Sequence, residues 1–583
     1  MLSFALDSCA STIGAYFMVF GFLFFLALSI AFLLPNHYYP WGSFYLEFSA
    51  FVSLFLSLFK LTTGRKSVLS MPILLCFLLL SLVPIIQWLF GKVFFFGDSA
   101  LAFFYLASFF VALCVSFSFN LGDVHQKIPD AMALAFVVIG IVSTMIALIQ
   151  WLMLWLTTLI HSLPIGARPY ANLAQPNNYS SLIWISLFSL YYLYERGRIG
   201  IVGLLFAGLY LVAGAALAQS RTSWVVFSVL LVVASTHGAI SLRFKWRRLA
   251  MPLLVMVAFY VLSLVLSGLK EFLFGGSGQA LRAAFTDIRT DMWMAFGVAI
   301  LERPWFGYGW GQVSLAQLAV ADLYPAVGLT QYSHNLFLDL LIWNGIPFGL
   351  LFIVLISFFW LRMFFVANSE KGFYSLCCFS ALLVHALLEY PHAYSYFLLL
   401  AGFFIGISAF DKIDVHQFRN FGNRWSSLIV RLNASVSKFI IIPRYVLMLC
   451  VLLYAIALGL AWWDYRILEE DHRLLRFEAA SIGTLKAEQK APDVILFDQL
   501  QSFTWVARTT VFDNLTIDEQ ERIEKVAKRY ALPMPLLKLA QLQMAQGEPE
   551  QASTTLRTIE HLYGKDTYNA AAAELQERIP NEQ

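Results

Sequence analysis

Apolar residues run nearly unbroken for about 20 positions at a time, the length a helix needs to cross a hydrocarbon core of roughly 30 Å. Such runs fall at 12–34, 44–59, 69–89, 100–117, 131–159, 178–195, 199–216, 223–240, 250–268, 335–363, 373–388, 395–410 and 441–462. The pattern predicts an all-α, polytopic membrane helical bundle of about thirteen spans. The first run has neither the basic start nor the small-residue cleavage site of a secretory signal, so it reads as a retained span.

Charges in the breaks give a direction to the chain. Lys60, Arg65 and Lys66 share one break, Arg196 and Arg198 another, and Arg243, Lys245, Arg247 and Arg248 a third. Arg362 with Lys371, then Lys412, Arg419, Arg424, Arg431 and Lys438, complete the series. Thirteen crossings put every cluster on one face, which the positive-inside rule assigns to the cytoplasm. The N-terminus is then cytoplasmic, and the loops 160–177 and 269–333 and everything from Asp464 onward lie outside.

Two domains follow: a membrane domain over 1–463, with 269–333 as its large outer loop, and a small helical domain over 464–583. The second holds 20 acidic and 14 basic residues, against 16 acidic residues in the preceding 463. Within it, 533–546 and 550–563 are amphipathic and are joined by Gly547-Glu548-Pro549, which predicts an αα-hairpin. The spacing of Ala540, Gly547 and Ala552 is that of half a tetratricopeptide-type repeat. Either a plain helical bundle or a peptide-binding repeat surface fits it.

Composition narrows the class further. The chain is 60% hydrophobic and 13% charged, about half the charged share of soluble domains. The net charge of +3 averages two unlike regions and says little about partners. Cys9, Cys76, Cys114, Cys377, Cys378 and Cys450 all lie in or beside apolar segments, so neither a disulfide framework nor a thiolate metal site is indicated.

Polar chemistry gathers at the outer ends of the spans. Between the fifth and sixth runs stands Gly166-Ala-Arg-Pro-Tyr-Ala-Asn-Leu-Ala-Gln-Pro-Asn-Asn178. Arg168 is its only charge, and Asn172, Gln175, Asn177 and Asn178 bring amide donors and acceptors. Gln219-Ser-Arg-Thr-Ser223 opens the eighth run, and Arg221 there is either an anchor at the interface or a ligand-binding charge. The large loop carries Arg282, Asp287, Arg289, Asp291 and Trp293, then Glu302-Arg-Pro-Trp-Phe-Gly-Tyr-Gly-Trp-Gly311. Its glycines lack the βαβ context of a dinucleotide site and suit a re-entrant or interfacial lid, or a surface for stacking sugars.

Gln331-Tyr-Ser-His-Asn-Leu-Phe-Leu-Asp339 completes the set, with Tyr332, Ser333 and Asn335 around His334 at a helix start. An imidazole can take a proton from a hydroxyl near neutral pH, which no arginine can do. Guanidinium forks bind a diphosphate directly, and fixed arginines can stabilise its departing charge. Together the parts suit transfer of a glycan from a lipid-diphosphate carrier to a hydroxyl outside the cytoplasm. No acidic cluster of the DxD kind accompanies them.

These pieces resemble the O-antigen ligase/Wzy C-terminal superfamily, and more narrowly the bacterial O-linked oligosaccharyltransferases that glycosylate pilins and other periplasmic proteins, the PglL, PilO and TfpO group. The resemblance rests on 167–178, Ser220-Arg-Thr-Ser-Trp224, Pro304-Trp-Phe-Gly-Tyr-Gly-Trp-Gly311 and Ser333-His-Asn-Leu-Phe-Leu-Asp-Leu-Leu-Ile-Trp-Asn-Gly345, and with the span pattern covers about 10–460. It implies a glycosyltransferase-C-like ligase fold in the inner membrane, an undecaprenyl-diphosphate glycan donor and a Ser or Thr acceptor. It implies no metal, no cofactor and no nucleic-acid partner. By position His334 would be the general base, with Arg221 and Arg289 on the diphosphate. Arg168, Asn172, Gln175, Asn178, Arg282, Tyr332 and Asn335 would bind substrate, and the C-terminal domain would recognise the acceptor. Two other readings stand beside it: a ligase onto lipid A core or a repeat-unit polymerase, and a transporter or lipid flippase without chemistry.

Overall fold

The computed structural model describes residues 19–35, 37–63, 67–121, 127–154, 158–164, 167–240, 247–274, 280–325, 329–367, 369–408, 439–482 and 491–577, and the side chains of 67–78, 120–121, 238–240, 247–249, 251, 274, 280–288, 439–440 and 577 lie outside the description. Among the described residues, eight helices are long and apolar enough to cross a membrane. Four shorter apolar helices accompany them, at Val19–Leu33, Leu79–Leu89, Arg221–His237 and Ser395–Ser408. One departure from an all-helical chain is a small antiparallel pair, Ser67–Ser70 with Phe439–Ile442, in register Ser67 to Ile442. The sequence reading placed both at the starts of spans; four-residue runs rich in Val, Ile and Phe suit a strand equally well.

The chain forms two compact units. The first takes residues 1–79, 105–279 and 356–458. At its centre lies the helix Pro176–Glu195, most of whose residues are buried, Trp184 and Tyr179 among them. Asn177, Asn178, Ser180, Ser181, Ser186 and Ser189 make it too polar to be counted with the apolar helices, although 178–195 reads as a span. Helices around it supply partners for its serines: Ser186 Oγ donates to the Phe136 carbonyl oxygen at 2.7 Å, and Ser189 Oγ meets Tyr374 OH at 2.9 Å. Small residues let the helices approach closely, as is usual where lipid supplies no hydrophobic drive between them. A Cβ on Gly214 would fall 2.4 Å from Thr144 Oγ1.

The second unit comprises residues 80–104, 280–355 and 459–583. Residues 280–302 of the expected outer loop form a single helix, Ala280–Glu302. The C-terminal hairpin stands as Pro533–Ala545 and Pro549–Tyr563, with Gly547 and Pro549 in the turn. Ile517–Tyr530 precedes it, opened by a capping box of Thr516 and Glu519. The apolar core of these helices, with Val506, Ile523, Val526, Leu536, Ile559 and Leu562, also takes in Phe95 and Ala321. Residues 464–583 therefore share their core with segments far earlier in the chain.

Polar contacts bind the same parts. Asp498 accepts from the N–H groups of Gly97 (2.7 Å) and Phe96 (3.1 Å), capping the helix Phe96–Leu121 from the C-terminal region. Burial raises the pKa of Asp498, opposed by those two N–H groups. Arg529 forks onto Asp98 at 2.7 and 3.1 Å. Burial disfavours the Arg529 charge, and the Asp98 carboxylate more than offsets that, so the net shift is upward.

The helix Leu336–Val366 is broken at Gly345, which holds φ 72 and ψ 177, and Pro347 follows. The break frees carbonyls, because Pro347 has no N–H and Ile346 N donates to Pro304 O at 2.6 Å instead. The loop repairs it: Tyr308 N donates to Ile342 O at 2.8 Å and Gly309 N to Trp343 O at 3.2 Å. Gln87 donates to Trp343 O at 2.9 Å and accepts from Trp310 N at 2.8 Å. The glycine run 307–311 thus serves a backbone-to-backbone approach. A Cβ on Gly345 would lie 2.5 Å from the Trp305 carbonyl carbon, in a conformation that L side chains rarely adopt. Gly345→Ala is expected to cost about 1–3 kcal/mol in backbone strain alone. Thermal melting in detergent should show it, against Gly297→Ala, whose Cβ would meet nothing within 4 Å.

Candidate functional site

In the second unit the segment around His334 is built by its neighbours. Asn335 caps the helix Leu336–Val366: its Oδ1 accepts from Phe337 N at 3.0 Å and Leu338 N at 3.3 Å. Fully buried Asp339 accepts from Ser333 N at 2.8 Å, and Ser333 Oγ donates to Asn335 O at 2.9 Å. His334 between them takes a left-handed backbone, φ 56, uncommon for a residue with a side chain. Local bonds on both sides hold that turn, and the imidazole stays half-buried.

Trp293 adds a brace from the helix Ala280–Glu302, its Nε1 donating to Ser333 O at 2.9 Å. Arg289 precedes Trp293 by four residues and so lies on the same helix face, one turn earlier. Tyr332 packs edge-on to Trp343 with ring centroids 6.4 Å apart. The side chain of Arg282 falls outside the described residues.

In the first unit the amide-rich loop and the Ser-Arg turn come together. Arg168 Nη1 donates to Gln219 O at 3.4 Å, next to the turn that presents Arg221. Gln219 is left-handed at φ 46 and ends the helix Ile201–Ala218, and Arg221 opens the next helix, exposed. The first turns of Pro176–Glu195 send polar groups to separate neighbours. Asn177 Nδ2 donates to Glu389 Oε1 at 2.9 Å, while Asn177 Oδ1 accepts from Ser220 Oγ at 2.7 Å. Ser180 Oγ meets Ser223 Oγ at 2.5 Å, and Ser181 Oγ meets His385 Nδ1 at 2.8 Å.

The amides expected to bind substrate divide in two. Asn172 is spent inside the fold, its Nδ2 donating to Leu33 O at 2.7 Å and Leu159 O at 3.0 Å, and its Oδ1 accepting from His161 N at 3.4 Å. His37 Nε2 donates to the Asn172 carbonyl oxygen at 2.8 Å, and burial lowers the His37 pKa. Asn172 is a clasp for this loop. Gln175 Nε2 donates to Glu389 Oε2 at 3.3 Å. Asn178 is 1% exposed, and neither of its amide atoms has a hydrogen-bond partner among the described residues. Buried polar groups are costly when unpaired, so Asn178 is the amide with bonding capacity to offer.

Sequence reasoning missed two buried carboxylates of the first unit. Glu47 accepts from Trp41 Nε1 (2.9 Å), Ser43 Oγ (2.5 Å), Tyr105 OH and Ser395 N (2.9 Å). Glu389, 2% exposed, ends the helix Glu370–Leu388. Their signal was scarcity: few acids interrupt the first 463 residues, so each one needs a reason.

A multi-pass helical membrane protein with arginine, amide and imidazole groups at helix starts is the class these features define. Residues 206–354 match the family model described as O-Antigen ligase, and residues 373–577 match that of the virulence factor membrane-bound polymerase, C-terminal. A general O-oligosaccharyltransferase of Acinetobacter baylyi is 29% identical over 562 residues, covering 92% of this chain and 91% of its own length. A ComP-specific O-oligosaccharyltransferase of the same organism is 30% identical over 412 residues, 70% of this chain and 74% of its own. The chain belongs to the O-oligosaccharyltransferases of the O-antigen ligase superfamily, and it is a glycosyltransferase.

Proposed function

We propose that the protein moves an oligosaccharide from an undecaprenyl-diphosphate carrier onto a Ser or Thr hydroxyl of a periplasmic protein, type IV pilin being the acceptor of choice. The reaction would run at the outer face of the bacterial inner membrane. His334, held in its strained turn by Asn335, Ser333 and Asp339, is the observation that carries this reading. Strain of this kind persists where the surroundings over-determine it, and it clusters at functional sites.

The hydroxyl oxygen would attack the anomeric carbon while its proton passes to the His334 imidazole. The bond from that carbon to the carrier's phosphate oxygen breaks, and the pyrophosphate leaves with its charge met by guanidinium groups. Arg221 and Arg289 take that role, with Arg168 beside the Arg221 turn and Asn178 for a sugar hydroxyl. Displacement in one step predicts inversion at the anomeric centre.

The thirteen-span topology belongs to the same proposal. Residues 90–99, the stretch 303–319 and the C-terminal region, which the charge rule puts on one face, are bonded to one another within the second unit. That supports a periplasmic C-terminal domain suited to holding the acceptor. The match to a polymerase model favours one alternative, joining of repeat units on the carrier itself. Intact mass spectrometry of periplasmic proteins from cells with and without the gene separates them: loss of a glycan-sized mass from a protein supports the proposal, and shortened carrier-linked chains with unchanged proteins refute it.

Arg221→Lys keeps the charge and loses the two-pronged fork. Transfer should fall by about tenfold or more, the loss of one charge-assisted bond of roughly 1.5–3 kcal/mol. Wild-type rates in that variant would remove the forked phosphate contact from the mechanism.

A further inference from the structure

The geometry points to Glu389 as a positioning residue for the Arg221 turn, a role that rests on the proposed use of Arg221 on the diphosphate. Glu389 sits just past the helix Glu370–Leu388, 2% exposed, and begins a short segment that ends at Ser395. Glu47 fastens the far end of that segment through Ser395 N. The near end is fixed by Glu389 itself, which accepts from Gln175 at 3.3 Å and from Asn177 at 2.9 Å.

A carboxylate has only acceptor sites to offer. It therefore decides which way both amides face, an orientation that an amide cannot set alone. With its NH₂ turned to Glu389, Asn177 must present Oδ1 on the other side, where Ser220 Oγ donates at 2.7 Å. Ser220 is 1% exposed and directly precedes Arg221, and Ser223 N closes the turn on Ser220 O at 3.2 Å. A polarity chain thus runs from Glu389 through Asn177 to the residue that presents the guanidinium. The same carboxylate orders Gln175, three residues before Asn178.

The chain has a direction, and that makes it testable by reversal. Glu389→Gln turns an NH₂ toward one of the two amides, so one bond is lost and the order of the rest is scrambled. Asn177→Asp sets two carboxylates face to face. Together the two changes restore the three bonds that link Gln175, position 389, position 177 and Ser220. The introduced glutamine donates through its NH₂ to the introduced aspartate, which still accepts from Ser220, while the glutamine's carbonyl oxygen still accepts from Gln175.

The experiment measures transfer by the purified full-length enzyme in detergent, with a short-chain polyprenyl-diphosphate glycan as donor and a purified pilin as acceptor. Each single variant should raise the donor KM about tenfold and leave the acceptor KM within about threefold, while the double variant returns to within about threefold of wild type. A double variant no better than the worse single, or singles with wild-type donor KM, would overturn the positioning role. Arg221→Ala is run alongside. If it transfers glycan normally, the diphosphate reading of Arg221 fails; if it is inactive while Glu389→Gln is unimpaired, only the role of Glu389 fails.

Discussion

His334→Ala is expected to lower glycan transfer by about 10²–10⁴-fold, the span that a positioned general base contributes. The protein should still insert and melt as wild type does, because Asn335, Ser333 and Asp339 hold the turn. Loss should appear in kcat, since proton removal belongs to the transition state and not to donor binding. His334→Gln keeps hydrogen bonding without basicity and should be nearly as inactive. Normal transfer by either variant would remove His334 from the chemistry. A variant that fails to insert would instead show that the left-handed turn needs this side chain.

Breaking the Arg529–Asp98 pair has the second largest expected effect, on stability. Its side chains are 18% and 10% exposed. Removing one member of a buried pair leaves an uncompensated charge, at a cost of about 3–5 kcal/mol. Arg529→Ala should melt well below wild type in detergent, and Arg529→Met combined with Asp98→Asn should recover much of the loss. A shift under about 1 kcal/mol would place the pair among surface ion pairs of little consequence. The same variant tests whether the C-terminal helices are needed for transfer, because Ser314 of the helix Val313–Ala319 also donates to Arg529 O at 2.7 Å.

The apolar helices were legible because lipid allows few polar groups on a spanning segment, and that demand writes long uniform runs. Where a helix is sheltered by others the demand lapses, and Pro176–Glu195 carries two asparagines and four serines, the serines bonded to groups on other helices. The turn at His334 was legible as a helix start from its Asn and Ser; its left-handed backbone was not, since a bond from an Asp six residues on helps to set it. The break at Gly345 was written as Asn-Gly-Ile-Pro347 but hidden inside an apolar run. The glycines that answer it stand some 35 residues earlier and looked like a lid. Asn172 looked like a ligand-binding amide because sequence cannot tell a group that meets substrate from one that meets three backbone partners. Glu389 was out of reach, because its bond to Asn177 joins residues 212 positions apart.

That same distance in sequence has a consequence for synthesis. Asp98 waits for a guanidinium that lies 431 residues downstream, a delay of roughly 20–90 s at ribosomal rates of about 5–20 residues per second. The cap on the helix Phe96–Leu121 comes 401 residues after Gly97. Early helices must therefore enter the bilayer with these groups unanswered, and the second unit cannot close before Arg529 has been made. Nascent chains stalled before position 498 should remain open to protease at residues 90–99, which full-length chains protect.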